Sequence, residues 1–240
     1  MRSLRRYVFL TKGCAQDNAM KVAINPVTPF AQNSCVIWDE KTMRGAVTDP
    51  GGDLDRILAV AQEHGVTIEK ILVTHAHLDH AGATAELAER LGVPIEGPHK
   101  GDQFLIDALP KSAAQYRFPE ARTFTPTRWL EDGDTVTVGD DVLNVVHCPG
   151  HTPGHVVFIS QTARIAIVGD VLFQGSIGRT DLPRGNYQQL IDAITQKLWP
   201  YGDDITFVPG HGGTSTFGNE RKWNPFVSDF AMSMNSSQGV

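Results

Sequence analysis

Short runs rich in Val and Ile alternate along the chain with stretches whose apolar positions recur every three to four residues. "SCVIW", "GAVTD", "KILVTH", "DTVTV", "LNVVH", "HVVFIS", "RIAIVGD" and "ITFVPG" are each closed by turn residues and read as strands, and "MKVAINPVTPF" from Met20 reads as the first of them. Between these runs Leu54, Ile57, Leu58 and Ala61 keep helical spacing behind Asp53, the expected N-cap. Ala83, Leu87 and Leu91 do the same in a helix-like stretch over 81–91, and so do Leu190, Ile191, Ile194 and Leu198 after Asn186. Each helix has one apolar face, which a sheet must cover. "DTVTVGDDVLNVV" and "HVVFISQTARIAIV" read as hairpins, whereas other strands are separated by helices. The sheets should therefore be mixed, and the fold class is α/β, a layered sandwich.

Length sets the number of such sandwiches. With 240 residues, 41% of them hydrophobic, the chain suffices for one well-buried domain and is short for two. That domain is expected over 20–232, with a flexible polar tail, "SMNSSQGV", at 233–240. The first 19 residues begin "MRSLRRYVFLTKG", basic and without an acid until Asp17, a composition like that of a transit peptide. Their apolar stretch, Tyr7 to Leu10, is too short for a secretory core or a membrane span, so 1–19 is expected to be a disordered extension.

Charge and cysteine content narrow the function classes. Lys and Arg number 21 against 27 Asp and Glu, for a net charge of -6, and no basic block stands out. Nucleic acid and anionic membranes are therefore not expected partners. Cys14, Cys35 and Cys148 are odd in number and far apart, without C-x-x-C, so neither a disulfide framework nor a thiolate zinc site is indicated. A reducing compartment fits, and the cytoplasm is the expected location. No heptad or unusual apolar stripe specifies an oligomeric state.

The densest chemistry lies in "LVTHAHLDHAG", where His75, His77, Asp79 and His80 fall within six positions between a strand and a helix. That is where α/β sheets present ligands. His75 and His77 can reach one point from alternate positions, while Asp79 and His80 can turn to a second point close by, so two metals are easier to accommodate than one. A plainer reading makes Asp79 a helix cap. Against it, polar residues recur at three later strand exits: "HCPGHTPGH", "GD" and "PGH" place His151, Asp170 and His211 there, supplying more imidazoles and a carboxylate able to bridge.

The ordered set H-x-H-x-D-H, "PGHTPGH", "GD" and "PGH" resembles the motif set of the metallo-β-lactamase superfamily and spans nearly all of the chain from Met20. The resemblance implies a four-layer αββα sandwich with two mixed sheets and a two-metal site at the sheet edges. It implies that His75, His77 and His151 hold one metal, that Asp79, His80 and His211 hold the other, and that Asp170 bridges them. The two divalent ions are expected to be Zn, with Fe or Mn as alternatives, because His and carboxylate ligands accept all three.

Within the superfamily, "GDVLFQGSIGRTDLPRGN" and "PGHGGTSTFGNERKWNPF" resemble the compact branch of the hydroxyacylglutathione hydrolase (glyoxalase II) group, whose substrates are thioesters. A hydroxide held by two cations roughly 3.5–4 Å apart is available at neutral pH and attacks a thioester carbonyl. Asp79 and Asp170 then count as catalytic alongside that hydroxide, and S-lactoylglutathione or a related S-acyl thiol is the expected small-molecule substrate. Cys148 lies near His151, yet a small buried cysteine is the favoured reading over a nucleophile.

Two departures bear on the substrate. The helical C-terminal domain of the larger glutathione-using enzymes is missing, only one short helix being predicted beyond His211. Arg179 stands where those enzymes have a basic substrate contact, but Asp181 stands where they have a tyrosine. Arg179 and Arg184, with Arg221 and Lys222, are candidates to receive an anionic substrate; surface ion pairs are the plainer reading. His147, His155 and Asp49 are candidates to orient ligands or close turns. His64 and His99 read as surface or loop residues.

The main alternative resemblance is to the mononuclear-iron persulfide dioxygenases, through "GRTD" and an "ER..NP" element. Those enzymes act on glutathione persulfide and have a "PAHDY"-like stretch where this chain has "PGHGGTST". Nuclease members carry an inserted domain and a basic surface, neither of them visible here. A non-catalytic metal-binding protein would close its coordination sphere, whereas seven ligands for two metals leave positions open.

Overall fold

The computed structural model describes residues 7–9, 20–119 and 121–237. The Val- and Ile-rich runs form two six-stranded sheets. The first takes β1 (Tyr7–Phe9), β2 (Met20–Val27), β3 (Gln32–Asp39), β4 (Arg44–Thr48), β5 (Thr67–Leu72) and β6 (Ile95–Glu96) in chain order. β1 to β4 pair antiparallel, then β4, β5 and β6 run parallel. The chain continues with β7 (Thr135–Val138), β8 (Asp141–His147), β9 (Val156–Ser160) and β10 (Ile165–Gly169). A small hairpin of β11 (Leu172–Phe173) and β12 (Ser176–Ile177) follows, then β13 (Thr206–Pro209) and β14 (Ser215–Thr216). The second sheet has the order β14-β13-β10-β9-β8-β7, with β10 and β13 its one parallel pair. Both sheets are mixed. β3, β9 and β10 are buried along their whole lengths, and in β9 and β10 this goes with nearly continuous apolar sequence.

Helices cover the outer faces. α1 (Leu54–His64), α2 (Leu78–Ala81), α3 (Thr84–Leu91) and α4 (Gln103–Tyr116) accompany the first sheet; α5 (Tyr187–Asp192), α6 (Phe217–Trp223) and α7 (Asp229–Ser237) follow in the second half. One apolar cluster, including Ile24, Ile37, Leu72, Val145, Phe158 and Ile167, lies between the sheets. A second joins the first sheet to α1, α3 and α4 through Val36, Ile57, Leu87 and Ile106, and a third joins the second sheet to α5 and α6 through Val168, Leu190 and Phe217. The layers are αββα, as the motif resemblance implies.

Several local expectations need correction. Asp53 precedes α1 but does not cap it: its backbone is left-handed (φ 52°), and its carboxylate accepts from the Thr28 N–H at 2.8 Å, tying α1 to the β2–β3 turn. The helix expected over 81–91 is two helices, α2 and α3, because the chain turns at Gly82 and Ala83, where the Ala83 N–H bonds to Pro50 O instead of continuing the helix. Asn186 does cap α5, accepting from the Gln189 N–H at 3.0 Å, and the helix continues through a π-helical stretch, Ala193–Leu198. The expected apolar face, Leu190, Ile191, Ile194 and Leu198, is buried.

The ends of the chain also differ from expectation. Tyr7–Phe9, within the stretch expected to be disordered, pairs with β2, while the remainder of 1–19 lies outside the described residues. α7 runs through Ser237, into the tail expected to be flexible, and two helices rather than one follow His211. Among the described residues no helix is long and apolar enough to cross a membrane.

Candidate metal centre

The segments that carry the candidate ligands each leave the C-terminal end of a strand, and they meet at one edge of the sandwich. From the first sheet come Asp49 after β4 and the loop and short helix 75–80 after β5; from the second come His151 after β8, Asp170 after β10 and His211 after β13. The site therefore lies on the seam between the sheets, where side chains from both converge.

Three imidazoles form one group. His75 Nε2 lies 3.1 Å from His77 Nδ1, and His151 Nε2 lies 2.9 Å from that same atom. Ring nitrogens this close repel through their lone pairs unless a proton or cation sits among them, and tetrahedral ligation at about 2.0–2.1 Å sets such atoms roughly 3.3 Å apart. A second group has His211 Nε2 at 3.1 Å and His80 Nε2 at 3.9 Å from Asp79 Oδ2. Asp79 is thus no helix cap; its side chain belongs to this group.

Asp170 faces both groups. Its Oδ1 is 3.3 Å from His80 Nε2, and its Oδ2 is 3.6 Å from His151 Nε2 and 3.8 Å from His211 Nε2. His80 Nε2 and Asp170 Oδ1 are buried without a hydrogen-bond partner, a costly arrangement that a cation between the groups relieves. The residues present therefore fit a pair of metal ions. Asp49, His75 and His80 also converge, but the Asp49 oxygens are already engaged: Oδ1 accepts from the Thr74 N–H at 2.7 Å, and Oδ2 from the Thr74 hydroxyl at 2.6 Å and His80 Nδ1 at 3.0 Å. Asp49 orients an imidazole, one of the two roles its sequence position allowed.

The electrostatics of the two groups differ. Burial holds His75 and His151 below the usual imidazole range and takes His77 down to about 3, with the neighbouring imidazoles adding to the effect. Burial pushes His80 and His211 the same way, but Asp170 and Asp79 outweigh it and raise both. Burial likewise opposes ionisation of Asp79 and Asp170, and the imidazoles around them win, so both carboxyls lie below their ordinary value.

Further contacts fix the ligand orientations. The Arg179 carbonyl accepts from His151 Nδ1 at 2.8 Å, turning Nε2 inward. His155, fully buried, stacks on His75 with ring centroids 4.5 Å apart, and its Nε2 accepts from the Asp170 N–H at 3.0 Å. His147 points away from the site, donating through Nε2 to Pro153 O at 2.8 Å, so it closes the turn that carries His151. A Cβ on Gly210 would lie 2.0 Å from Asp170 Oδ1, so only glycine lets the chain pass here. Asn33 was missed by the sequence reading. Its side-chain amide donates to Pro209 O and Gly212 O, both at 3.0 Å, stitching the β2–β3 hairpin to the His211 turn. Its one signal was a polar pair, Gln32-Asn33, at the start of a strand whose centre, residues 35–38, is apolar.

The expected substrate-facing cations are already partnered. Arg179 makes a bidentate pair with Asp181, 2.7 Å at both contacts, with both side chains exposed. Arg184 lies 4.1 Å over the Phe104 ring. Arg221 pairs with Asp229 and Asp203, and Lys222 lies over Trp223. In the "ER..NP" element Glu220 and Asn224 are structural: the Glu220 carboxylate accepts from the Gly175 N–H and the Asn224 amide, and Asn224 donates to Ser176 O, holding the β11–β12 hairpin. Cys35 and Cys148 are buried free thiols. Burial raises both, Cys35 to about 12, so neither is a nucleophile at neutral pH. Cys14 lies outside the described residues.

Two mixed sheets under helices, with a histidine and aspartate cluster on their shared edge, define a metal-binding hydrolase fold. The chain belongs to the metallo-β-lactamase superfamily, whose sequence model matches residues 27–211. Hydroxyacylglutathione hydrolase GloC of Haemophilus influenzae is 42% identical over 210 residues, covering 87% of this chain and 99% of that protein. Among solved structures, the BLEG-1 B3 metallo-β-lactamase is similar with a TM-score of 0.78 and 32% identity, covering 85% of this chain and 98% of its own. TTHA1623 in a di-iron-bound form is similar with a TM-score of 0.75 and the same identity and coverage.

Proposed function

We propose that the chain is a metal-dependent thioester hydrolase acting on S-lactoylglutathione or a related S-acyl thiol. The observation that carries this reading is one buried carboxylate, Asp170, set between two ligand groups, His75, His77 and His151 on one side and Asp79, His80 and His211 on the other. The first group would hold one divalent ion and the second the other, with Asp170 reaching both. When bound, such ions make a water-derived nucleophile available at neutral pH and polarise a carbonyl. Cys148, buried and un-ionised, is not a competing nucleophile. Asp79 and Asp170, held as carboxylates, keep the floor of the site anionic, while Asp49 and the Arg179 carbonyl hold the imidazoles of His80 and His151 in place. The relative named hydroxyacylglutathione hydrolase supports the substrate class. The cytoplasm suits two buried unpaired thiols, and zinc is the proposed metal, with iron next because one similar structure is in a di-iron-bound form.

The test is elemental analysis of the purified protein beside two assays: S-lactoylglutathione hydrolysis and oxygen uptake with glutathione persulfide. Near two metals per chain with thioester hydrolysis and no oxygen uptake is expected. One iron per chain with persulfide-dependent oxygen uptake would replace the reading with a dioxygenase.

Asp181 tempers the substrate contact. Because it occupies both guanidinium contacts of Arg179, Asp181→Asn should lower KM for an anionic thioester by up to about fivefold, the range of exposed ion pairs, with the gain shrinking at high salt. KM for a neutral thioester should stay unchanged. Equal shifts for both substrates would place Arg179 outside the substrate contact.

A further inference from the structure

Asp102 lies outside every motif that marks the metal centre, yet it touches both loops that carry the three-imidazole group. It immediately precedes α4 and is fully buried. Its Oδ2 accepts from the Ala76 N–H at 3.0 Å and from the Thr152 hydroxyl at 2.9 Å, and its Oδ1 accepts from the Gly154 N–H at 2.6 Å. Ala76 stands between His75 and His77. Thr152 and Gly154 stand between His151 and His155. One carboxylate thus joins a loop of the first sheet to a loop of the second, alongside the backbone bond from the Val156 N–H to Thr74 O at 2.8 Å.

Its surroundings are close-built. A Cβ on Gly154 would lie 2.7 Å from the Asp102 carboxyl carbon and 2.4 Å from its backbone nitrogen, and the Gly154 carbonyl accepts from the His99 N–H at 3.0 Å. Burial without a cation partner raises the Asp102 carboxyl to about 6, although all three donors favour its ionised form. A fold gains little stability from such a group, because desolvating it offsets much of what the donors return. What the group does supply is a fixed distance between two loops.

We propose that Asp102 is a positioning residue: it sets the His75–His77 loop against the His151 turn at the separation that three-imidazole metal binding requires. Its carboxylate hydrogen bonds go to Ala76, Thr152 and Gly154, and to no candidate ligand side chain. Loss of the clamp therefore weakens the three-imidazole site selectively. This rests on the assignment of the two metal groups but not on the thioester substrate, so a different substrate would leave it intact.

The experiment is a zinc titration of metal-free wild type, Asp102→Ala and Asp102→Asn against a competing chelator, with cobalt spectra to identify the sites. In Asp102→Ala one of two ions should bind about 10- to 100-fold more weakly, the range for lost outer contacts of a metal ligand, while the other stays within about threefold of wild type. Asp102→Asn keeps an acceptor oxygen but turns an amide toward a donor, so it should fall between, which a merely structural role would not order in this way. If Asp102→Ala does not fold, the Asn variant carries the test by the same comparison. Both sites bound as in wild type, or both weakened equally, would overturn the proposal. A wild type that takes up no zinc would overturn the metal centre itself.

Discussion

Asp170→Ala should bind fewer than two metals per chain and lose at least about 10³-fold in hydrolysis. Asp170 has oxygens facing both ligand groups, 3.3 Å from His80 Nε2 on one side and 3.6 Å from His151 Nε2 on the other. Its removal leaves the cations without shared negative charge and without a fixed spacing. A metal's electrostatic contribution to such a reaction is several kcal/mol, and each 1.36 kcal/mol is a factor of ten in rate, so a 10³-fold loss is the lower bound. The His80 imidazole, raised largely by Asp170, should also lose its proton more readily. Metal analysis and kcat at saturating zinc check this together. A variant that keeps its activity with both metals in place would sink the bridging role.

The second large effect is expected on stability. A ligand present at about 1,000 times its Kd stabilises the fold by about 4 kcal/mol, so stripping two such ions removes about 8 kcal/mol. For a chain of this size the midpoint of thermal unfolding should fall by roughly 15–30 °C on chelation and return when zinc is restored. The metal-free protein should then be acid-sensitive. His75, His77 and His151 have folded values depressed below their unfolded value of about 6.5, so they resist protons when folded and accept them when unfolded. Their effect is a loss of stability as pH falls below about 6.5, complete for His77 near 3. For His77 alone, the loss between pH 7 and pH 5 is about 2 kcal/mol. His80 and His211 act with the opposite sign, stabilising below 6.5 and losing that effect as pH rises through their raised values. Between pH 7 and 5 they therefore offset part of that loss, because their unfolded imidazoles take up protons over the same range. Melting of the chelated protein at pH 7 and pH 5 checks the balance: a lower midpoint at pH 5 is expected, and an equal or higher one would show that the depressed imidazoles do not dominate it.

How much of this was legible depends on the range of each interaction. His75, His77, Asp79 and His80 stand within one turn of chain, and the later ligands follow strands whose apolar runs are unmistakable, so the site could be drawn before any coordinates. Asp49 was ambiguous because its partners, Thr74 and His80, are 25 and 31 residues away. Asp102 was silent for the same reason, holding groups 26 and 52 residues away. α4 was not read from the sequence: it carries Pro110 inside it, a residue that disfavours a helix interior, and it forms nonetheless because Ile106, Leu109 and Ala113 bury a face on the first sheet. Asp53 and Asp79 show the converse. Both sit where a carboxylate commonly caps a helix, and both are drawn elsewhere by partners distant in the chain, Thr28 and His211.

The seam between the sheets also bears on how the molecule is made. Four of the seven candidate ligands, His75 to His80, are complete in the first third of the chain, and the other three arrive only with the second sheet. During synthesis the early segment would emerge as an unfinished ligand set, short of the partners that the second sheet brings. Full occupancy of the centre would then require that the two halves of the sandwich have docked.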